Sequence, residues 1–110
     1  MSEFTLRQLQ EEQVPWVAHN FGDREPWQPL LGAVEEIGEA CHAFLKWKQG
    51  IRGGEQEHMA KLRDAIGDTV VFLADLCSAM GFDFQEIVEQ TWEEVKKRDW
   101  QTDRQNGGDA

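Results

Sequence analysis

Leu30, Val34, Ile37, Cys41 and Phe44 follow one another at intervals of four, three, four and three residues. That rhythm draws one apolar stripe along a helix, the kind a surface helix turns toward an apolar layer, and it is incompatible with the two-residue period of a strand. Pro26 and Gly50 bracket the segment, a proline suited to a first helical turn and a glycine suited to a left-handed C-terminal position. No stretch alternates convincingly with period two, so the whole chain reads as all-α.

The remaining helices follow from the same signals. The sequence predicts a first helix over Ser2 to about His19, with Ser2 as N-cap and Pro15 as a kink or stop. Asn20 to Arg24 reads as a connector, Pro26 to Gln49 as helix two and Ile51 to Gly54 as a loop. Helix three runs from about Gln56 to Met80. Its segment Thr69 to Leu76 is apolar on nearly every side except for Asp75, which predicts a central, largely buried helix. Asp83 and Glu86 fit a capping box that opens a last helix reaching about Trp100. The expected architecture is one domain over residues 1–100, a bundle of four to five helices around an antiparallel central hairpin. Residues 101–110 are expected to form a flexible tail. A chain of 110 residues with an all-round apolar helix also points to self-association, as a homodimer or homotetramer.

Charge narrows the function. With 11 Lys and Arg against 21 Asp and Glu, the formal net charge is -10. A phosphate-gripping surface must be basic, so a nucleic-acid strand is not an expected partner, and neither is an anionic membrane. The N-terminus lacks the basic start and apolar core of a signal peptide, and no apolar run approaches the ~20 residues of a membrane span. Two cysteines, Cys41 and Cys77, make no disulfide framework and read as small buried thiols. The expected location is the cytoplasm.

The acidic residues are not evenly spread. Measured from Val34 at about 100° per residue, Glu35, Glu39 and Glu36 lie at roughly 100°, 140° and 200°, on the side of helix two away from the stripe. Alone, such a face is simply solvated. However, its like charges at helical spacing have no Lys or Arg to relieve them, and Gly38 inside the cluster leaves room for something to approach. Helix three carries Asp64 and Asp68 on one face, Asp68 at the threshold of the apolar run. Folding the hairpin brings both sets to a similar height, ~15–20 Å from the turn. Carboxylates gathered in that number require cations, and hard oxygen donors suit Mg²⁺ or Mn²⁺.

Glu35-Glu36-x-x-Glu39, followed on the next helix by Gly67-Asp68 and an apolar run, resembles the MazG-type all-α nucleoside triphosphate pyrophosphohydrolases. The resemblance spans roughly residues 16 to 100. It is closest to the small single-domain members of phages and mobile gene cassettes, in Asn20-Phe21-Gly22, Ala65-Ile66-Gly67-Asp68 and Lys97-Arg98-Asp99-Trp100. The family motif continues with Glu-x-x-Asp, and here Ala65 stands where that Glu belongs; either Asp64 substitutes or the site has one carboxylate fewer. The resemblance implies cleavage of a (deoxy)nucleoside triphosphate between its α- and β-phosphates, giving a monophosphate and pyrophosphate and clearing unwanted nucleotides. It implies Glu36, Glu39 and Asp68 as metal ligands with Asp64 in support, and Glu35 or Glu36 as the group acting on the attacking water. Lys97 and Arg98, then Lys48 and Arg52, are the candidate phosphate contacts. Trp27 and Trp16 are the candidate base-stacking rings, and Asn20 either reads a base edge or caps the turn.

Two rival readings remain open at this level. Glu39 with His42 and Glu55 with His58 have the Glu-x-x-His spacing of di-iron bundles, although the second pair sits at the start of its helix. A non-enzymatic helical oligomerisation module with a solvated acidic face is the other.

Overall fold

The computed structural model describes residues 3–105 and contains four helices: α1 (Leu6–Phe21), α2 (Trp27–Gln49), α3 (Glu55–Met80) and α4 (Phe84–Val95). No strand occurs among the described residues. Ser2 lies outside them, and the residue that caps α1 is Thr5, whose hydroxyl accepts from the Gln8 N–H at 3.0 Å. Pro15 neither stops α1 nor shortens it. The helix runs through it to Phe21, so Asn20 and Phe21 are helical and the connector shrinks to Gly22–Pro26.

The α2–α3 hairpin is the backbone of the fold, the most extensive helix pair, closed by the turn at Gly50–Gly54. Gly50 takes the left-handed conformation (φ 70°), and the Ile51 N–H returns to the Lys46 carbonyl at 3.1 Å. Antiparallel packing therefore follows the sequence expectation. The face that α2 presents to α3 does not. Its buried residues are Pro29, Ala33 and Ala43, with Glu36, Ala40 and Trp47 half-buried along the same ridge. Across the seam lies Ala65, and Gly32 lets the Phe72 ring lie against the α2 backbone; a Cβ at Gly32 would stand 2.5 Å from that ring. Small side chains let the helix axes approach closely, which increases dispersion contact along the whole seam. The large stripe points the other way: Val34 is 57% exposed, Ile37 52% and Phe44 46%. Cys41 sits on that outward stripe and is exposed, contrary to the buried thiol expected, whereas Cys77 is buried and its thiol pKa is pushed up by burial.

α1 packs on α3, and α4 turns off α3 by 111° to pack against α1 and α3. A small core forms where the three meet, from Ala74, Cys77 and Phe84 with Leu6, Leu9, Val70 and Leu73. Gln10 ties the corner together. Its amide donates to the Phe82 carbonyl at 2.8 Å and accepts from the Phe84 N–H at 3.0 Å. Asp83 caps α4 as expected, accepting from the Glu86 N–H at 3.1 Å. The helix ends at Val95, five residues short of the expected Trp100, and Lys97 to Asp103 form turns, with Asp99 accepting from the Gln101 and Thr102 N–H groups. Those turns occupy the start of the expected tail; residues 106–110 lie outside the described part.

The Cα radius of gyration is 17.5 Å, well above the ~13 Å of a compact chain this long. α1 and α2 both approach α3 without packing on each other. Among the described residues, no single helix is long and apolar enough to cross a membrane.

Candidate active site

The space left between α1 and α2, floored by α3, is a cleft of about 640 Å³. α1 contributes Gln13, Trp16, Val17 and Phe21; the connector contributes Asp23 and Arg24; α2 contributes Gln28, Pro29 and Glu36. The floor is Asp68, Val71, Phe72 and Asp75 of α3. These last residues recur at helical spacing, so Asp68 and Asp75 mark points two turns, or ~10 Å, apart along one face.

Glu36 is the electrostatic centre. One of its carboxylate oxygens is buried and has no hydrogen-bond partner. Its pKa is raised above the ordinary carboxylate value, first by loss of solvation, then by the charges of Glu39 and Asp68, and least by Glu35. The charges of Glu39, on the same helix, and of Asp68, across the hairpin, thus reach Glu36. Asp64 is exposed, outside the cleft lining and absent from the charges acting on Glu36, while Ala65 is buried in the helix seam. Glu35 is also exposed and outside the lining. Gly38 opens onto free space, with nothing within 4 Å of where a Cβ would be.

Among the described residues, no three His, Cys, Asp or Glu side chains are gathered closely enough to hold a metal ion as they stand. The donor set still suits a hard divalent cation: it is all oxygen, and one Glu36 oxygen is buried without a partner. Neither Glu-x-x-His pair is assembled. His42 and Glu55 are exposed, and buried His58 donates through Nε2 to the Ile51 carbonyl at 3.0 Å.

The basic and aromatic candidates divide. Lys97 and Arg98 lie in the turns after α4, and neither they nor Lys48 nor Arg52 lines the cleft. Lys48 instead sits 4.4 Å from the Trp47 ring centroid, a cation–π contact, and Arg52 adopts φ 61° in the hairpin turn. Trp16 does line the cleft, with Phe21 edge-on at 5.7 Å; Trp27 does not. Asn20 donates its side-chain amide to the Trp16 carbonyl at 2.9 Å, which is a helix-end bond.

Arg24 is the one cation in the lining, and the sequence reading passed over it. Its guanidinium pairs with Asp75 and also reaches the Asp75 carbonyl at 3.2 Å, while its Nε is buried without a partner. The signal for Asp75 is present in the sequence: a lone charge inside an apolar run, seven residues after Asp68, shares its face. Gln13, Phe21 and Gln28 carry no comparable signal, because a lone polar or aromatic residue on a helix is common. Comparison of the chain with models of known protein families finds no match. Comparison with characterised proteins finds no significant match either.

Proposed function

We propose that this chain is a Mg²⁺-dependent nucleoside triphosphate pyrophosphohydrolase, with Mn²⁺ as a possible substitute, acting in the cleft between α1, α2 and α3. The observation that carries the reading is the pairing, in one cleft, of the carboxylates Glu36 and Asp68 with the aromatic rings of Trp16 and Phe21. A triphosphate needs cations at its charged end and a flat apolar surface for its base, and the cleft has room for both.

Glu36, Glu39 and Asp68 would hold the ion, with Asp64 flanking them. The bound ion supplies neutralisation of the triphosphate charge and activation of water. The residues do the rest. Glu36, or the adjacent Glu35, takes the proton of the water that attacks the α-phosphorus. The bond from the α-phosphorus to the bridging oxygen breaks, and pyrophosphate leaves. Trp16 stacks on the base. Arg24, already turned into the cleft, is better supported as a cationic contact than Lys97, Arg98, Lys48 or Arg52 in a single chain. The open shape and the outward stripe of α2 support a homodimer or homotetramer, in which a second copy can bring basic residues to the site.

Incubation with Mg²⁺ and a panel of ribo- and deoxyribonucleoside triphosphates tests the reading. Monophosphate plus pyrophosphate is the expected outcome; release of inorganic phosphate, or no turnover across the panel, overturns it. The exposed stripe also favours a second reading, a non-enzymatic oligomerisation module. On that reading Glu36→Gln and Asp68→Asn leave every property intact, and Mg²⁺ does not change the melting temperature.

A further inference from the structure

α2 carries two glycines in its interior, and each weakens a helix relative to alanine. The Phe72 ring lies against Gly32, in the space a Cβ would fill. Gly38 has no such neighbour: nothing stands within 4 Å of where its Cβ would be. It lies two residues, or about 200°, beyond half-buried Glu36, so it opens away from α3. It is also the midpoint of Trp27–Gln49.

Around this notch the outward face repeats with a heptad rhythm. Leu31, Val34, Gly38, Cys41 and Leu45 follow at intervals of three, four, three and four residues, the a and d spacing of a helix–helix seam. Leu31 is 56% exposed, Val34 57% and Leu45 51%, and Cys41 is exposed as well. Side-chain size is nearly symmetrical about Gly38, large at the ends and smallest at the centre. A second α2 laid antiparallel across the notch therefore sets Leu31 against Leu45, Val34 against Cys41 and glycine against glycine, along the full length of both helices. Charge selects the same direction. Lys48 and Arg52 stand exposed at the C-terminal end and make no ion pair among the described residues, while Asp23 and Glu25 stand exposed just before the N-terminal end. Antiparallel helices bring these opposite charges together, whereas parallel helices would set like against like.

We propose that the outer face of α2 is a self-complementary seam that pairs, antiparallel and two-fold about Gly38, with α2 of a second copy of this chain. It rests on the self-association part of the proposed function, which it deepens, and not on the chemistry of the cleft.

Disulfide trapping tests the seam. In Val34→Cys, the new thiol faces Cys41 of the second copy, and oxidation with copper phenanthroline is expected to give a covalent dimer on a non-reducing gel. Within one chain the two positions are ~10 Å apart along the axis, too far to bridge. The unaltered protein, whose two Cys41 thiols would stand ~9 Å apart along the axis, is expected to stay uncrosslinked. Adding Cys41→Ser to Val34→Cys is expected to abolish the covalent dimer; one that survives means that position 34 meets itself, and overturns the antiparallel pairing. Gly38→Leu, which fills the notch, is expected to weaken self-association about tenfold or more while helix content holds. Unchanged association in Gly38→Leu overturns the seam. Light scattering separates the remaining failures. An assembled protein that gives no crosslink in Val34→Cys overturns the seam and leaves self-association standing, and a monomer overturns both.

Discussion

The two faces of α2 are built from opposite materials. The inner face, Pro29, Ala33, Ala40 and Ala43, is small and closes tightly on α3. The outer face, Leu30, Val34, Ile37 and Phe44, is large and lies open. By hydrophobicity alone the assignment should be reversed, because each large side chain buried stabilises by ~1.5–3 kcal/mol. The seam is nevertheless made by alanines, and Glu36 stands half-buried on the same ridge. A carboxylate can stand on a helix–helix interface only where its neighbours are small and something polar reaches it. On the proposed reading the tight face serves the site, and the large face is left for a second copy of the chain.

The strongest way to break this comparison is at Glu36. Glu36→Gln is expected to lower hydrolysis about a hundredfold or more while far-UV circular dichroism stays unchanged. A fold lost together with the activity would make Glu36 part of the scaffold only. Next in size is the seam. Gly32→Ala places a methyl group against the Phe72 ring and is expected to cost about 1–3 kcal/mol in chemical denaturation. The outer face should answer differently. Val34→Asp or Ile37→Asp is expected to dissociate the assembly, read by light scattering, while each chain keeps its helix content; a monomer before and after would remove the assembly role of the stripe.

The smallest effect is in pH. Because the folded-state pKa of Glu36 lies above its unfolded value, its protonated form stabilises the metal-free fold. That contribution is present below the ordinary carboxylate pKa and is lost as pH rises through the raised one. Asp83 has the opposite sign. Its pKa is lowered, first by the Glu86 N–H and also by Arg7, so its contribution is present above the ordinary value and lost as pH falls through the lowered one. Melting curves of metal-free protein against pH, with Glu36→Gln and Asp83→Asn as controls, separate the two.

The helices were legible because capping and glycine chemistry are local: Asp83, Gly50 and Gly81 mark ends that the structure keeps. The hairpin that couples Glu36 to Asp68 was legible for the same reason, since a short turn dictates antiparallel neighbours. Which face of α2 turns inward was not. Periodicity identifies a stripe, but only packing decides what covers it. Pro15 does not end α1, whose packing on α3 offsets the lost backbone bond. Gln13 and Arg24 were invisible because each acquires meaning from an unmet atom, Oε1 or Nε, which only three-dimensional surroundings reveal.

The central claim is that the α2–α3 carboxylates perform the chemistry. Phosphorus NMR of nucleoside triphosphate turnover with Mg²⁺, run side by side on the unaltered protein and on Glu36→Gln, tests it most directly. Growing monophosphate and pyrophosphate signals are expected for the first and a static triphosphate for the second. Equal turnover by both proteins, or a diphosphate product from the first, would contradict it.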